Sequence, residues 1–409
     1  MLKCGLLGEK LGHSYSPQIH AMLGDYEYRL YEKTPDEVAD FLKNGDFDGL
    51  NVTIPYKKTV VPLCADLSPE ARLLGSVNTI VRRPDGSLYG DNTDYTGFRE
   101  LLAQNAVDPA GKKCLVLGSG GASVTVCAVL RELGAAEVVV ISRSGPDNYG
   151  NIEKHADAGI VVNTTPVGMY PKNGESPVQL SVFNSLDAVL DVVYNPSRTA
   201  LLLQAEALGI PCASGLYMLV AQAKRSSELF TGSEIDEERV DEITAVLETE
   251  MQNLVLIGMP GCGKTTIGRI LSEKTGRELL DCDDEIVRRA GKTIPEIFAE
   301  RGEEGFRRLE TEVLAELGKL SGKILATGGG CVAREENYPL LHQNGQIFWV
   351  KRDLDKLPVE GRPISLRTDL QELYRMRERL YDAFCDYTVS NYGTPQASAD
   401  AILEMLKPY

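Results

Sequence analysis

Two glycine-rich stretches mark where this sequence could handle phosphates. Gly258-Met-Pro-Gly261-Cys262-Gly263-Lys264-Thr265 has the GxxxxGK[ST] spacing and directly follows the apolar run NLVLI. In that context glycines let backbone N–H groups converge on phosphate oxygens at a helix N-terminus, Lys264 adds a point charge and Thr265 can hold Mg2+. Gly261, Cys262, Gly263, Lys264, Thr265 and Thr266 are therefore the candidate ATP site. Asp281-Cys-Asp283-Asp284 closes the next apolar run and sets carboxylates at a sheet edge, where α/β folds bind their ligands. The other stretch, Gly118-Ser119-Gly120-Gly121-Ala122-Ser123, lies between the run KCLVL and a helical segment, the setting of a dinucleotide fingerprint. Ser123 stands at the third glycine position. The next run, EVVVI, ends in Ser142-Arg143-Ser144. An acidic residue there would hold the bare ribose of NAD, whereas Arg143 suits a 2′-phosphate, so the expected cofactor is NADP.

The elements that must position these residues alternate. Apolar runs at 4–8, 49–54, 113–118, 137–142, 160–165 and 188–194 predict buried strands, with helical spacing between several of them, as at 123–135. That alternation predicts right-handed βαβ units on parallel sheets. A second series of runs starts at 253–258 and continues at 277–283, 323–328 and 346–351. Before it, residues 235–252 read as an amphipathic boundary helix with Ile235, Val240, Ile243, Val246 and Leu247 inward. A chain of 409 residues exceeds what one core serves, so two or three domains are expected.

Composition excludes some partners. With 43 Lys and Arg against 59 Asp and Glu the net charge is −16, which repels nucleic acid and anionic membranes. Neither is an expected partner, and any anionic ligand needs a local basic site. Nine cysteines without a CxxC pair suggest neither zinc nor a disulfide framework. No apolar run approaches the length of a membrane helix, so a cytoplasmic location is expected. Oligomeric state is not legible.

After the phosphate loop, GEEGFRRLE at 302–310, ATGGGC at 326–331, GRP at 361–363 and RERLY at 377–381 follow in order. Here the chain resembles shikimate kinases over 251–409. The resemblance implies that Arg307, Arg377 and a backbone N–H of Gly329 meet the carboxylate of shikimate, and that Asp283 faces its hydroxyls. It further implies that Asp281 supports Mg2+ with Thr265, and that Arg362 lies in a lid over the ATP phosphates. The roles make physical sense, because fork-shaped guanidinium groups match a planar carboxylate. The lid segment, VKRDLDKLPVEGRPISLRT, is shorter than the family leads one to expect.

In the first half, GHSYSPQIH at 12–20, NVTIPYKK at 51–58, GSVNTI at 75–80, GDNTDYTGF at 90–98 and GLYMLVAQA at 215–223 together resemble shikimate dehydrogenases across 1–247. Read alone, NVTIPYKK is a strand, a proline turn and two solvent lysines, and Asp94 a turn aspartate. The resemblance makes Lys57 and Asp94 the catalytic pair. It also assigns Ser14 and Ser16 to the substrate carboxylate, lines the site with Thr53, Asn78, Tyr194 and Gln222, and puts Val192 and Gly215 on the nicotinamide side. It implies a substrate domain at 1–97 to which the helix 218–247 returns, a Rossmann-like NADP domain at 98–217 and a P-loop kinase domain at 251–409. Between Arg143 and the run IVVNTT the chain is too short for a helix, strand and helix, which predicts a pared-down adenine side.

Together the resemblances imply a bifunctional enzyme that reduces 3-dehydroshikimate with NADPH and phosphorylates the shikimate formed. Two competing readings are a half that binds ligand without catalysis and a kinase half acting on another polyol or a nucleotide. Retention of Lys57, Asp94, Lys264 and Asp283 argues against the first. Arg307 and Arg377 argue against the second, since only a carboxylate-bearing substrate would use both.

Overall fold

The computed structural model describes residues 1–12, 14–357 and 370–406. They form two compact units, the first comprising Met1–Val167, Ser176–Tyr194 and Gln204–Val246. It carries two sheets. The first sheet has strands β1 (Lys3–Gly8), β2 (Glu27–Glu32), β3 (Gly49–Val52), β4 (Asp66–Leu67), β5 (Thr79–Arg82) and β6 (Leu88–Asp91), in the order β2-β1-β3-β5-β6-β4. The expected runs at 4–8 and 49–54 pair in parallel as β1 and β3, but the sheet is mixed, because β5 and β6, not among those runs, add antiparallel pairs at β3–β5 and β5–β6. The cause is local. Only the turn Arg83–Ser87 joins β5 to β6, too short for a crossover helix, and Asp85 Oδ1 holds it by accepting from Ser87 N at 2.9 Å and Ser87 Oγ at 2.6 Å.

The second sheet has β7 (Lys113–Leu117), β8 (Glu137–Ile141), β9 (Ile160–Asn163), β10 (Ala188–Asp191) and β11 (Cys212–Ser214), all parallel, in the order β11-β10-β9-β7-β8. The helix Gly121–Glu132 crosses from β7 to β8 and buries Val126, Val129 and Leu130 in the core between them. Between β8 and β9 there is a single 3-10 turn, Ile152–His155, as the short segment predicts. The helix Leu216–Thr231 packs along the helix Thr93–Gln104 at Gly97, where a Cβ would stand 2.7 Å from Met218 O. Its far end presses Phe230 against Gly49 of the first sheet.

The second unit comprises Gly168–Glu175, Asn195–Leu203 and Leu247–Tyr409. Its sheet has β12 (Asn253–Ile257), β13 (Leu279–Asp281), β14 (Ile324–Ala326), β15 (Gly345–Lys351) and β16 (Tyr387–Ser390), all parallel, in the order β13-β14-β12-β15-β16. Strands β12, β14 and β15 are almost wholly buried, which is why they read as continuous apolar runs. The short segments join this unit through backbone: Ser197 N donates to Asn344 Oδ1 and Arg198 N to Gln343 O, each at 2.9 Å. In the helix Glu238–Met251, Val240, Ile243 and Leu247 are buried as expected, but Val246 is 39% exposed. It lies about 100° of helix turn from Leu247, off the buried stripe. No helix among the described residues is long and apolar enough to cross a membrane.

Candidate active sites

In the first unit the ends of β3 and β6 bring two separate motifs together. Lys57 Nζ donates to Asp94 Oδ2 at 2.6 Å, with both side chains about one-quarter exposed. Asn78 is buried, and its Oδ1 accepts from Thr93 N at 2.7 Å, which fixes the first turn of the helix that presents Asp94. Thr93 Oγ1 also lies 3.4 Å from Gln222 Oε1, so the helix Leu216–Thr231 brings Gln222 to the same place. Thr53 is tied to β1 by its N–H on Leu7 O at 2.9 Å. Ser14 Oγ accepts from Ser16 N at 3.2 Å, and between the two serines Tyr15 meets Tyr194 edge-on at 6.1 Å. Burial pushes the Tyr194 hydroxyl above the ordinary tyrosine range. Behind this surface Asn51, Thr79, Thr93 and Ser226 share one buried hydrogen-bond network, which the sequence did not reveal.

The glycine stretch leaves β7 at Gly118, where φ is +101° and a Cβ would stand 2.7 Å from Thr165 Cγ2. At Gly120 and Gly121 nothing lies within 4 Å of a Cβ position, so the backbone of Ser119–Ala122 faces open space at a helix N-terminus. Ser123 Oγ donates to Gly120 O at 2.6 Å, a use of this position that glycine could not provide. The β7–β8 register pairs Leu117 with Ile141, so exposed Arg143 emerges beside the loop. Ser142 is committed elsewhere, its Oγ accepting from Gly145 N at 3.0 Å. Gly215 sits so close to Val192 O that a Cβ would come within 2.1 Å, which brings these two residues together.

In the second unit one cavity of about 540 Å3 gathers most of the predicted residues: Gly261, Gly263 to Thr266, Asp281, Asp283, Arg307, Gly329 and Arg377. Cys262 is the exception. Its side chain is buried away from the cavity, and its carbonyl accepts from Asn391 Nδ2 at 2.7 Å. Arg362 lies outside the described residues. Lys264 Nζ donates to Gly258 O at 2.9 Å and Met259 O at 3.2 Å. Thr265 Oγ1 donates to Asp281 Oδ2 at 2.7 Å, while Asp281 Oδ1 caps the helix Cys282–Ala290 by accepting from Asp283 N at 3.0 Å. Burial first, then Asp281, push the Asp283 carboxyl up to about 6.

Arg307 Nη1 donates to Glu310 Oε2 at 2.6 Å, and both residues are buried. Among the described residues Arg307 Nε and Glu310 Oε1 have no hydrogen-bond partner, and both residues line the cavity. Burial pushes the Glu310 carboxyl upward against the pull of Arg307. Arg377 Nη1 donates to Gly329 O at 3.0 Å, and Tyr381 OH donates to the same carbonyl. Sequence reasoning missed Glu310, Tyr381 and Asn391, and also Arg352, which lines the same cavity. Glu310 alone had a local signal, its i+3 spacing from Arg307 on one helix.

Sheet order, the glycine turn beyond β7 and the lysine–aspartate pair define the first unit as a two-sheet α/β oxidoreductase fold, and the loop beyond β12 defines the second as a phosphate-loop kinase fold. The chain belongs to the shikimate dehydrogenase family. Residues 6–80 match the family model described as shikimate dehydrogenase substrate binding domain, and residues 260–407 match shikimate kinase. The shikimate dehydrogenase (NADP(+)) of Clostridium perfringens strain 13 is 36% identical over 260 residues, covering 58% of this chain and 96% of that protein. A chorismate mutase/shikimate 5-dehydrogenase fusion protein from Clostridium acetobutylicum superposes with a TM-score of 0.57 at 38% identity, covering 60% of this chain and 96% of that one. The shikimate 5-dehydrogenase of Thermus thermophilus, solved with NADP(H) and shikimate, gives a TM-score of 0.55 at 32% identity, covering 60% and 98%.

Proposed function

We propose that the chain catalyses two consecutive reactions, NADPH-dependent reduction of 3-dehydroshikimate to shikimate and ATP-dependent phosphorylation of shikimate to shikimate 3-phosphate. Residues 1–97 with the segment 218–247, which the helices Leu216–Thr231 and Glu238–Met251 share, serve as substrate domain, 98–217 as NADP domain and 251–409 as kinase domain. The observation that carries the reading is the cavity of the second unit. Arg307 and Arg377 stand there with Asp283 beside a phosphate loop, a set that fits an alcohol bearing a carboxylate. The reduction makes such an alcohol.

Reducing a ketone requires a proton donor beside the forming alkoxide; Lys57 is that donor with Asp94 orienting it, a reading that the 2.6 Å pair supports. Ser14, Ser16, Thr53, Asn78, Tyr194 and Gln222 hold the substrate. The open backbone at Gly120 and Gly121 fits a pyrophosphate, so Gly118 to Ala122 hold NADP, with Arg143 on the 2′-phosphate and Val192 and Gly215 at the nicotinamide. When bound, the cofactor supplies the hydride.

In the kinase half, Gly261 to Thr266 hold the ATP phosphates. The oxygens of Thr265 and Asp281 suit Mg2+, which neutralises phosphate charge when bound. Asp283 accepts the proton of the attacking hydroxyl, while Arg307, Arg377 and the Gly329 backbone hold the carboxylate. Separate assays test the two halves: shikimate with NADP+ should yield NADPH, and shikimate with MgATP should yield ADP. Turnover of glycerol or a nucleotide in place of shikimate would overturn the kinase assignment.

A further inference from the structure

We propose that Arg352 is a nucleotide-binding residue of the second unit, its guanidinium reaching the phosphates cradled by the loop after β12. The proposal rests on reading that unit as ATP-dependent. Arg352 stands directly beyond β15, and the β12–β15 register pairs Ile257 with Trp349, so the chain leaving β15 runs beside the loop leaving β12. Arg352 lines the same cavity as Gly261, Gly263, Lys264 and Thr265.

Its partners are weak. Among the described residues its hydrogen bond is Nη1 to Gly261 O at 3.4 Å, near the limit for such a bond, and no carboxylate forms an ion pair with it. The other cavity cations are better satisfied. Arg307 is paired with Glu310 at 2.6 Å, Arg377 donates to Gly329 O at 3.0 Å and Lys264 reaches two carbonyls of the loop. A half-buried guanidinium facing a cavity without a counter-ion favours an anion there, and its planar fork matches phosphate oxygens. A phosphate in the loop would replace one long bond to a neutral carbonyl with short charge-assisted ones. Adenosine would not, because it lacks the anion.

Calorimetric titration of the full chain and its Arg352→Gln and Arg352→Lys variants with MgADP and with adenosine tests the proposal. The expected result is MgADP affinity about 10- to 100-fold weaker in Arg352→Gln, partly recovered in Arg352→Lys, with adenosine affinity unchanged in both. Unchanged MgADP affinity in Arg352→Gln would overturn it, and so would equal weakening of MgADP and adenosine. Failure of the unaltered chain to bind MgADP would overturn the ATP-dependent reading itself, and this proposal with it, a result distinct from binding that survives the substitution.

Discussion

Asp283 shows how one environment sets both a cost and a use. Burial and the neighbouring Asp281 raise its folded-state pKa to about 6, so the folded chain holds that proton more tightly than the unfolded chain does. Stability therefore falls as pH rises from the ordinary carboxylate range through about 6, and the full penalty stands above it. The proposed chemistry needs the ionised form, so phosphorylation should decline as pH drops below about 6. Asp283→Asn should lower phosphorylation by about 10²-fold or more, yet raise the thermal stability of the second unit at pH ~8 and leave it nearly unchanged at pH ~4. Melting curves at both pH values check this, and equal gains at the two would refute the assignment. Lys57→Ala should lower kcat of the reduction by roughly 10²-fold with little change in KM. A raised KM with kcat kept would make Lys57 a binding residue. Arg143→Ala should weaken NADP by about one to two powers of ten and leave NAD almost unchanged. Titration with both cofactors decides that.

At the scale of elements, close approach of backbone to a functional side chain matters most at Gly330. A Cβ there would lie 2.1 Å from Arg307 Nη2, so Gly330→Ala should push the guanidinium out of place. The KM for shikimate should rise several-fold while that for ATP holds, and steady-state kinetics with each substrate varied would show it. Motifs that are contiguous in the chain were legible: the phosphate loop leaves β12 and the glycine stretch leaves β7 where their spacing placed them, whereas Arg307 was singled out by resemblance alone. Contacts between distant residues were not. Asn391 braces the phosphate loop from 129 residues away, and Arg352 approaches it only because β15 pairs with β12. Neither has a local signature. The antiparallel β5–β6 hairpin was readable in principle from the turn signal Pro84-Asp85-Gly86, but its two strands are too short and mixed in polarity to stand out among the apolar runs. The Asn51–Thr79–Thr93–Ser226 network escaped for a third reason, since isolated hydroxyls and amides look alike in sequence whether buried or exposed.

The whole molecule carries a net charge of −16, yet both proposed substrates are carboxylates and both cofactors are phosphorylated. On the proposed function, binding depends on the few cations that each unit gathers locally: Lys57 and Arg143 in the first, Lys264, Arg307, Arg352 and Arg377 in the second. Because the two sets lie in separate compact units, Lys264→Ala should abolish phosphorylation and spare reduction. Loss of both activities would count against independent sites. The most direct test of two consecutive reactions is a single mixture of the purified chain with 3-dehydroshikimate, NADPH and MgATP, with NADPH loss and ADP formation followed together. ADP formation that requires NADPH and lags behind its consumption is the predicted result. NADPH consumed without ADP, or ADP formed at the same rate when NADPH is omitted, would contradict it.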